Sequence, residues 1–410
     1  MKCRHCNTDL EQSLIDLGSA PPSNAYLSLA NLAAPEKWYP LRVMVCTNCW
    51  LVQTEDYAGR DELFDADYAY FSSVSTTWLK HASTYVAQMI ERFDLTSASL
   101  VVEVAANDGY LLQYVRDRGI ACYGVEPTAS TAAAAREKGI EIVEEFFGES
   151  LASLLVKQKG EVDLVAANNV LAHVPDINDF VRGFTTLLKP QGIATFEFPH
   201  LLNLINQNQF DTIYHEHYSY LSLTAVSKIF SANGLSVFDV EEISTHGGSL
   251  RVFAQRQDSE FRPVSSRVEA LLRKETEQGL STIEYYADFQ GKADRVKDDL
   301  LSFLLEAKRA GKTVAAYGAA AKGNTLLNYA GIRPDLISFV VDRNSAKQGK
   351  FMPGSRIPIV DEDYLRQFKP DYVCILPWNL KDEVIPQLHY IKDWHGCFLL
   401  AIPSLEVKKT

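Results

Sequence analysis

From Leu100 onward, short apolar runs alternate with stretches whose apolar residues recur at helical spacing, the pattern of a parallel α/β sheet. The runs predict strands over Leu100 to Ala105, Ala121 to Glu126, Ile140 to Glu144, Asp163 to Ala167 and Gly192 to Phe198, with helices over Tyr110 to Arg118, Ser130 to Lys138 and Ile177 to Leu188. Residues 235–256 then give two strands around Gly247-Gly248 with no helix between them, so the parallel sheet should finish in an antiparallel hairpin. Residues 264–310 place Val268, Leu271, Leu272, Ile283, Tyr286, Phe289, Val296, Leu300 and Leu304 at helical spacing among many charges, which reads as a connector of one or two amphipathic helices rather than a site. At Thr313 the α/β alternation restarts and continues through a helix from Lys322, a Pro/Gly-rich loop at 353–358 and two further apolar runs. A second, smaller nucleotide fold therefore closes the chain.

Ahead of the first sheet, Cys3-Arg-His-Cys6 and Cys46-Thr-Asn-Cys49 bracket 39 residues. A CxxC turn lets two thiolates converge on one ion, and two such turns complete a closed four-cysteine zinc site of the structural kind. Pro21, Pro22, Pro35, Trp38 and Tyr39 supply enough bulk for the intervening loop to fold over it. The expected units are residues 1–62 (zinc-binding), 63–262 (first α/β domain), 263–310 (connector) and 311–410 (second α/β domain).

Composition adds exclusions. Forty Lys plus Arg against 52 Asp plus Glu leave a net charge of −12, so no overall basic field draws the chain to nucleic acid, and an anionic ligand would need a local pocket of Lys and Arg. No signal-peptide core and no run of about 18 apolar residues is present, so the expectation is a soluble, cytoplasmic protein without a membrane partner. Cys122, Cys374 and Cys397 stand singly in apolar stretches, which argues against a disulfide framework.

The turn after the first central strand reads Glu103-Val-Ala-Ala-Asn-Asp-Gly109. A dinucleotide fold has GxGxxG here, whose glycines let the backbone approach a pyrophosphate. With Ala105 and Asn107 at two glycine positions, the turn, with Asp108 and Gly109, suits a cofactor with an amino-acid end and no phosphate, namely S-adenosylmethionine, while Glu126 at the end of the second strand is spaced to bind ribose hydroxyls. Glu145 and Phe146 would then lie near the adenine, and Asn168, Asn169 and His173 follow the fourth strand. This order of features resembles class I methyltransferases, the alternative being an NAD-binding Rossmann domain.

After the fifth strand comes the densest polar cluster, His200 and then NQNQFDTIYHEHYSYLS, holding Tyr214, His215, Glu216, His217, Tyr218 and Tyr220. Its histidines are two residues apart rather than one helical turn, so it is no zincin motif. Ligands of open α/β sheets bind beyond the strands' carboxyl ends, so this loop should face the transferred methyl group; the bland alternative is a hydrogen-bonded loop. In the last domain, Gly318-Ala-Ala-Ala-Lys322-Gly323-Asn324-Thr325 follows a strand and opens a helix, a near miss for a Walker loop whose free backbone N–H groups suit an anion. Arg343, Lys347 and Lys350 add positive charge nearby, or form a solvated basic loop.

The four-cysteine unit, YHEHYSY, HGGSLRVF, YGAAAKGNTLLNYAG and KQGKFMPGSRIPI occur together, and in this combination the chain resembles the sugar C-methyltransferases of deoxysugar biosynthesis. The resemblance covers essentially the whole chain. It implies a class I methyltransferase Rossmann-like central domain between an amino-terminal zinc-binding domain and a second Rossmann-like domain, with structural zinc and S-adenosylmethionine as cofactors. The substrate it implies is a nucleotide-linked 4-keto sugar, carried on TDP and methylated at C-3. It further places Tyr214, Glu216 and His217 around the sugar, with Tyr68 as the upstream tyrosine and Tyr70 as its rival; His200, Tyr218, Gly318, Lys322 and Asn324 are expected to contact substrate. Rival readings are an O- or N-methyltransferase on a similar sugar and a non-catalytic zinc-containing module that senses a metabolite.

Overall fold

The computed structural model describes residues 1–57, 71–259 and 261–409, so Tyr68 and Tyr70 lie outside the described residues. Its strands begin with β1 (Gln12–Ala20), β2 (Tyr39–Val45) and β3 (Val52–Thr54). The central region adds β4 (Leu100–Val104), β5 (Ala121–Val125), β6 (Ile142–Val143), β7 (Val162–Asn168), β8 (Leu188–Pro199), β9 (Ser219–Tyr220), β10 (Leu235–Ile243) and β11 (Ser249–Arg256). The last region adds β12 (Val314–Tyr317), β13 (Val340–Val341), β14 (Ile359–Val360), β15 (Tyr372–Ile375), β16 (Cys397–Leu400) and β17 (Glu406–Lys409).

These make three sheets, ordered β1-β2-β3-β9, β10-β11-β8-β7-β4-β5-β6 and β14-β13-β12-β15-β16-β17. In the middle sheet β8, β7, β4, β5 and β6 run parallel, and β11 enters antiparallel between β8 and β10, which is the hairpin ending that the missing helix predicts. Strands β4, β5 and β7 are apolar nearly throughout because helices cover both faces. On one face the helix Ile177–Leu187 buries Ile177, Phe180, Val181, Phe184 and Leu187, one stripe at helical spacing, and Asp176 caps it by accepting from the Asp179 N–H.

The sequence expectation needs three adjustments. Lys189-Pro-Gln-Gly192 is not a turn before the strand but the first part of β8, with a register shift opposite β7 between Val162 and Leu164 and the Lys189 ammonium on Asp163 at 2.8 Å. The first helix shrinks to Leu112–Arg116, since Asn107 and Gly109 take positive φ and delay its start. The third strand keeps only Ile142–Val143.

The connector is more than a tether. The helix Phe289–Arg309 buries Phe289, Val296, Leu300 and Leu304 in a core shared with Leu14, Ile15 and Leu17 of β1 and with Leu326 and Ile337 of the last unit. In the helix Ser266–Gln278, fully buried Glu275 accepts from the backbone N–H of Leu223 (2.7 Å) and Thr224 (2.8 Å), capping the helix Leu223–Ala232, and pairs with His200 Nε2 at 2.7 Å. Leu10, Met44 and Leu51 of the amino-terminal unit share a second core with the central sheet. The amino-terminal sheet is thus packed against both other units.

Candidate active site

The cysteine unit comes first along the chain. The sulfurs of Cys3, Cys6, Cys46 and Cys49 lie within 4.8 Å of one another, and the Cys3–Cys49 and Cys6–Cys46 pairs are 3.5 Å apart. A tetrahedral zinc with Zn–S of about 2.3 Å sets sulfurs at about 3.8 Å, so these four residues fit the ion and leave no position for substrate.

At the carboxyl end of β4, the loop from Ala105 to Gly109 has positive φ at Ala105 (60°), Asn107 (49°) and Gly109 (74°), a costly conformation for alanine. Two contacts hold it: the Asn107 N–H donates to Glu126 at 2.9 Å, and Asn107 Oδ1 accepts from the Ser72 N–H at 2.9 Å. Glu126 also accepts from the Thr128 N–H at 2.9 Å, so the expected ribose acceptor shapes the loop as well. Asp108 is drawn into packing through Ser73 and Lys138, its Oδ1 remaining without a hydrogen bond. Among the described residues neither Glu103 oxygen meets a donor in hydrogen-bond geometry, and the buried Asn168 amide has no partner at either atom. Burial pushes the Glu103 carboxyl well up, the nearby Asp108 and Glu126 charges push the same way, and the Tyr110 hydroxyl opposes them. Glu103, Asp108, Glu126 and the Asn168 amide around one strand-end crevice fit a cofactor that brings an ammonium group and a positive charge, which would favour the ionised form of the buried Glu103. Glu145 is exposed and Phe146 half-buried at the rim.

Opposite the crevice stands the loop from Tyr214 to His217. His217 Nδ1–H donates to the Thr212 carbonyl at 2.8 Å, which fixes the tautomer and leaves Nε2 as the basic nitrogen. Its ring lies against Tyr214 (centroids 4.0 Å apart) and His173 (4.6 Å). Burial, with the His173 charge adding, pushes the His217 imidazolium well below its ordinary range, so the ring is neutral near pH 7; burial likewise pushes His173 down to about 4, opposed by a hydrogen bond with the Glu216 backbone. Glu216 takes both oxygens to Asn24 Nδ2 at 2.8 Å; burial pushes its carboxyl up to about 7 against Asn24 and the Lys347 charge.

The carboxyl-terminal unit closes this cleft. Lys322 Nζ donates to Asn379 Oδ1 at 2.8 Å and lies 4.9 Å from the Trp378 ring centre, and its charge is felt at His217, His246 and Asp211. Lys347 donates to the Ala319 carbonyl at 2.8 Å over the Tyr26 ring. At the rim, Trp78 stacks on His81 (4.8 Å), and His81 and Arg251 hold fully buried Glu197 at 2.7 and 2.6 Å; although burial raises that carboxyl, the two partners win and keep it below the usual range.

Several sequence-chosen residues stand elsewhere. His200 is in the buried pair with Glu275, Tyr218 lies under the Arg4 guanidinium, and His215 points at the Tyr39 and Pro40 carbonyls. Asn324 donates to the Ser23 carbonyl at 2.5 Å and Gly318 packs on Pro377. The Asp342 carboxylate accepts from the Ala319 N–H at 2.8 Å, so that one backbone donor of the loop is taken up within the fold. Arg343 is exposed, 3.8 Å from Glu362, and Lys350 is turned into the 347–359 loop by backbone bonds. Sequence reasoning missed Asn24, Asp211, Trp378, Asn379 and the Trp78–His81–Glu197 group; a polar residue isolated in an apolar or proline-rich context (Asn24 after Pro21-Pro22, Trp378-Asn379 after Pro377) was the signal present.

Family profiles match residues 3–64 (zinc binding domain), 78–240 (methyltransferase domain) and 244–403 (C-methyltransferase C-terminal domain). The C-methyltransferase NovU of Streptomyces niveus is 35% identical over 408 residues, 99% of this chain and 96% of that protein. A ubiquinone biosynthesis O-methyltransferase of Bordetella avium is 30% identical over 98 residues, 23% of this chain and 41% of its own. Among solved structures, the Synechocystis PCC 6803 magnesium protoporphyrin IX methyltransferase with bound SAH matches 43% of this chain and 83% of its own at 18% identity and a TM-score of 0.36. With identity at this level running the full length of both chains, and with all three domain profiles in order, the chain belongs to the C-methyltransferases, S-adenosylmethionine-dependent enzymes that carry an amino-terminal zinc-binding domain.

Proposed function

We propose that the acceptor is C-3 of a nucleotide-linked 4-keto deoxysugar, carried on TDP, and that methylation proceeds through an enolate. The observation that carries this reading is His217: a neutral imidazole with Nδ1–H on the Thr212 carbonyl presents a basic Nε2 in a water-poor cleft. Carbon is a poor nucleophile unless a neighbouring carbonyl acidifies its C–H, so carbon methylation needs a base placed to take a carbon-bound proton, whereas oxygen or nitrogen methylation involves no exchange of such a proton. When bound, the cofactor supplies the electrophilic methyl group.

In this reading His217 takes the C-3 proton, while the Tyr214 hydroxyl and Glu216 orient the sugar. Tyr68 is the further hydroxyl proposed for this task. Lys322 and Lys347, the two ammonium groups that reach the cleft from the last domain, favour the negative charge of the diphosphate and of O-4. No helix among the described residues is long and apolar enough to cross a membrane, and we place the reaction in the cytoplasm, where the thiol groups of the zinc unit stay reduced.

The test is a reaction of labelled methyl donor with TDP 4-keto sugars, read by mass spectrometry for a methyl group on carbon, beside incubation of enzyme, sugar and demethylated cofactor in D2O. Deuterium at C-3 and label on carbon support the reading. Label on oxygen or nitrogen without exchange overturns it.

A further inference from the structure

Three side chains cross from the carboxyl-terminal unit to the turn that orients His217: the Thr325 hydroxyl donates to the Ile213 carbonyl at 2.7 Å, Tyr329 packs edge-on against Phe210, and Trp378 reaches the carboxylate that precedes Thr212. Trp378 follows β15, and its indole Nε1–H donates to Asp211 Oδ2 at 2.8 Å. Its ring edge fills the space over Gly247, where an added Cβ would fall 2.6 Å from Cη2, and its face carries the Lys322 ammonium. Asp211 is fully buried, and burial pushes its carboxyl up to about 6 against the Lys322 charge, the indole and the backbone N–H groups of its own turn. The next residue, Thr212, is the acceptor for His217 Nδ1–H, and both belong to the single turn Phe210–Thr212, so neither moves without the other. A second tie lies alongside: Thr77 Oγ1, next to Trp78, donates to Glu383 at 3.1 Å.

We propose that Trp378 is a positioning residue for the methyl-transfer base. By holding Asp211 it holds the Thr212 carbonyl, and through that carbonyl the tautomer and tilt of the His217 ring, so the base is aligned when the carboxyl-terminal unit is docked. This rests on the reading of His217 as the base. It ties the unit proposed to carry the nucleotide to the atom that takes the proton, so that alignment and substrate loading share one contact. Tyr214, Tyr220 and His173 face the His217 ring directly, and the charges of His246 and Lys322 act on it from the hairpin and the last domain.

Trp378→Phe keeps an aromatic ring beside Lys322 and removes the N–H together with the indole edge over Gly247, whereas Asp211→Ala breaks the same hydrogen bond with the indole intact. In the full chain, kcat should fall about tenfold, as loss of an interaction that tightens in the transition state does, and deuterium washout into the sugar should fall in parallel. The thermal midpoint should fall, since a buried carboxylate loses its donor, but KM for the nucleotide sugar and affinity for S-adenosylmethionine should stay put while kcat per folded enzyme drops, a split that loss of packing alone would not give. Asp211→Ala, made from the other side of the contact, should reproduce the defect, and Asp211→Asn, which still offers an oxygen to the indole, should recover most of it. Combining Trp378→Phe with Asp211→Ala should cost no more than the worse single change, because both break one contact. Unchanged kcat in Trp378→Phe, a rise in KM alone, or losses that multiply in the double variant would each overturn the proposal. His217→Ala separates the two levels: if it retains turnover, the base reading falls and this proposal with it, whereas an inactive His217→Ala beside an unaffected Trp378→Phe defeats the positioning role alone.

Discussion

The two halves of the site are built in different ways. The crevice proposed for the cofactor is built within one sheet, from the loop Glu103 to Gly109 with Glu126 and Asn168, at the carboxyl ends of neighbouring strands. The cleft proposed for the substrate is assembled across domains: Glu216 rests on Asn24, 192 residues away, and Asp211 on Trp378, 167 residues away. A crevice of local parts can be kept as a unit while the cleft around it is refitted. Cofactor binding and turnover should therefore respond to different substitutions.

The strongest way to separate them is to remove zinc. Metal at a structural four-cysteine site contributes on the order of 10 kcal/mol to the fold it closes. The amino-terminal unit carries Asn24 and Tyr26 into the cleft and nothing among the described residues into the Glu103 to Gly109 loop. Cys46→Ser should release the ion, lower the thermal midpoint and abolish turnover, while titration still shows S-adenosylmethionine bound to whatever fraction stays folded. Wild-type turnover in a zinc-free variant would show that the cleft does not depend on this unit.

Next in size, His217→Ala should lower kcat by about 10²- to 10⁴-fold, the usual worth of one general base, with cofactor affinity unchanged by calorimetry. The converse is Glu126→Ala, which acts on the crevice. It removes the acceptor for Asn107 and Thr128 N–H groups as well as the proposed ribose contact, so S-adenosylmethionine should bind about 10- to 100-fold more weakly, equivalent to roughly 1.5–3 kcal/mol for a charge-assisted hydrogen bond. At saturating cofactor the KM for the sugar should hold. A variant that changed both affinities alike would dissolve the distinction between crevice and cleft.

The same difference explains what was legible beforehand. The shape of the Glu103 to Gly109 turn was legible because its residues are consecutive: Ala105 and Asn107 stand where a dinucleotide loop has glycine, and both take positive φ. The paired CxxC turns and the Tyr214 to His217 cluster were legible for the same reason. Partners were not, since they are chosen by docking. His200 in a polar cluster suggested substrate, yet a buried carboxylate from the supposed connector pairs with it; in the loop before Lys322, which suggests an anion cradle, Asp342 occupies the Ala319 N–H. Lys322, proposed for the diphosphate, also leans on Trp378, and its charge is felt at His217. Helix ends slipped where positive φ at Asn107 and Gly109 overrode apolar spacing.

The smallest effect probes a single interdomain hydrogen bond through its proton. Burial lifts the Glu216 carboxyl from 4.5 to about 7, with Asn24 and then Lys347 pulling the other way. Because the folded value lies above the unfolded one, the folded state binds the proton more tightly. Below about pH 4.5 the group is protonated in both states and costs nothing; as pH rises to about 7 the fold must hold a buried carboxylate, and stability falls by on the order of 3 kcal/mol, each tenfold difference in proton affinity being worth about 1.4 kcal/mol. Asn24→Ala removes the donor that favours the charged form, so the titration should move to higher pH and the loss above it should deepen by about 1 kcal/mol. Urea unfolding of both proteins at pH 5 and pH 8 reads this directly: the variant should nearly match the parent at pH 5 and fall behind at pH 8. If ionised Glu216 orients the sugar, the acid limb of kcat/KM moves to higher pH along with that titration, and equal stability gaps at both pH values would mean that the contact between Asn24 and Glu216 does not couple the amino-terminal unit to the cleft.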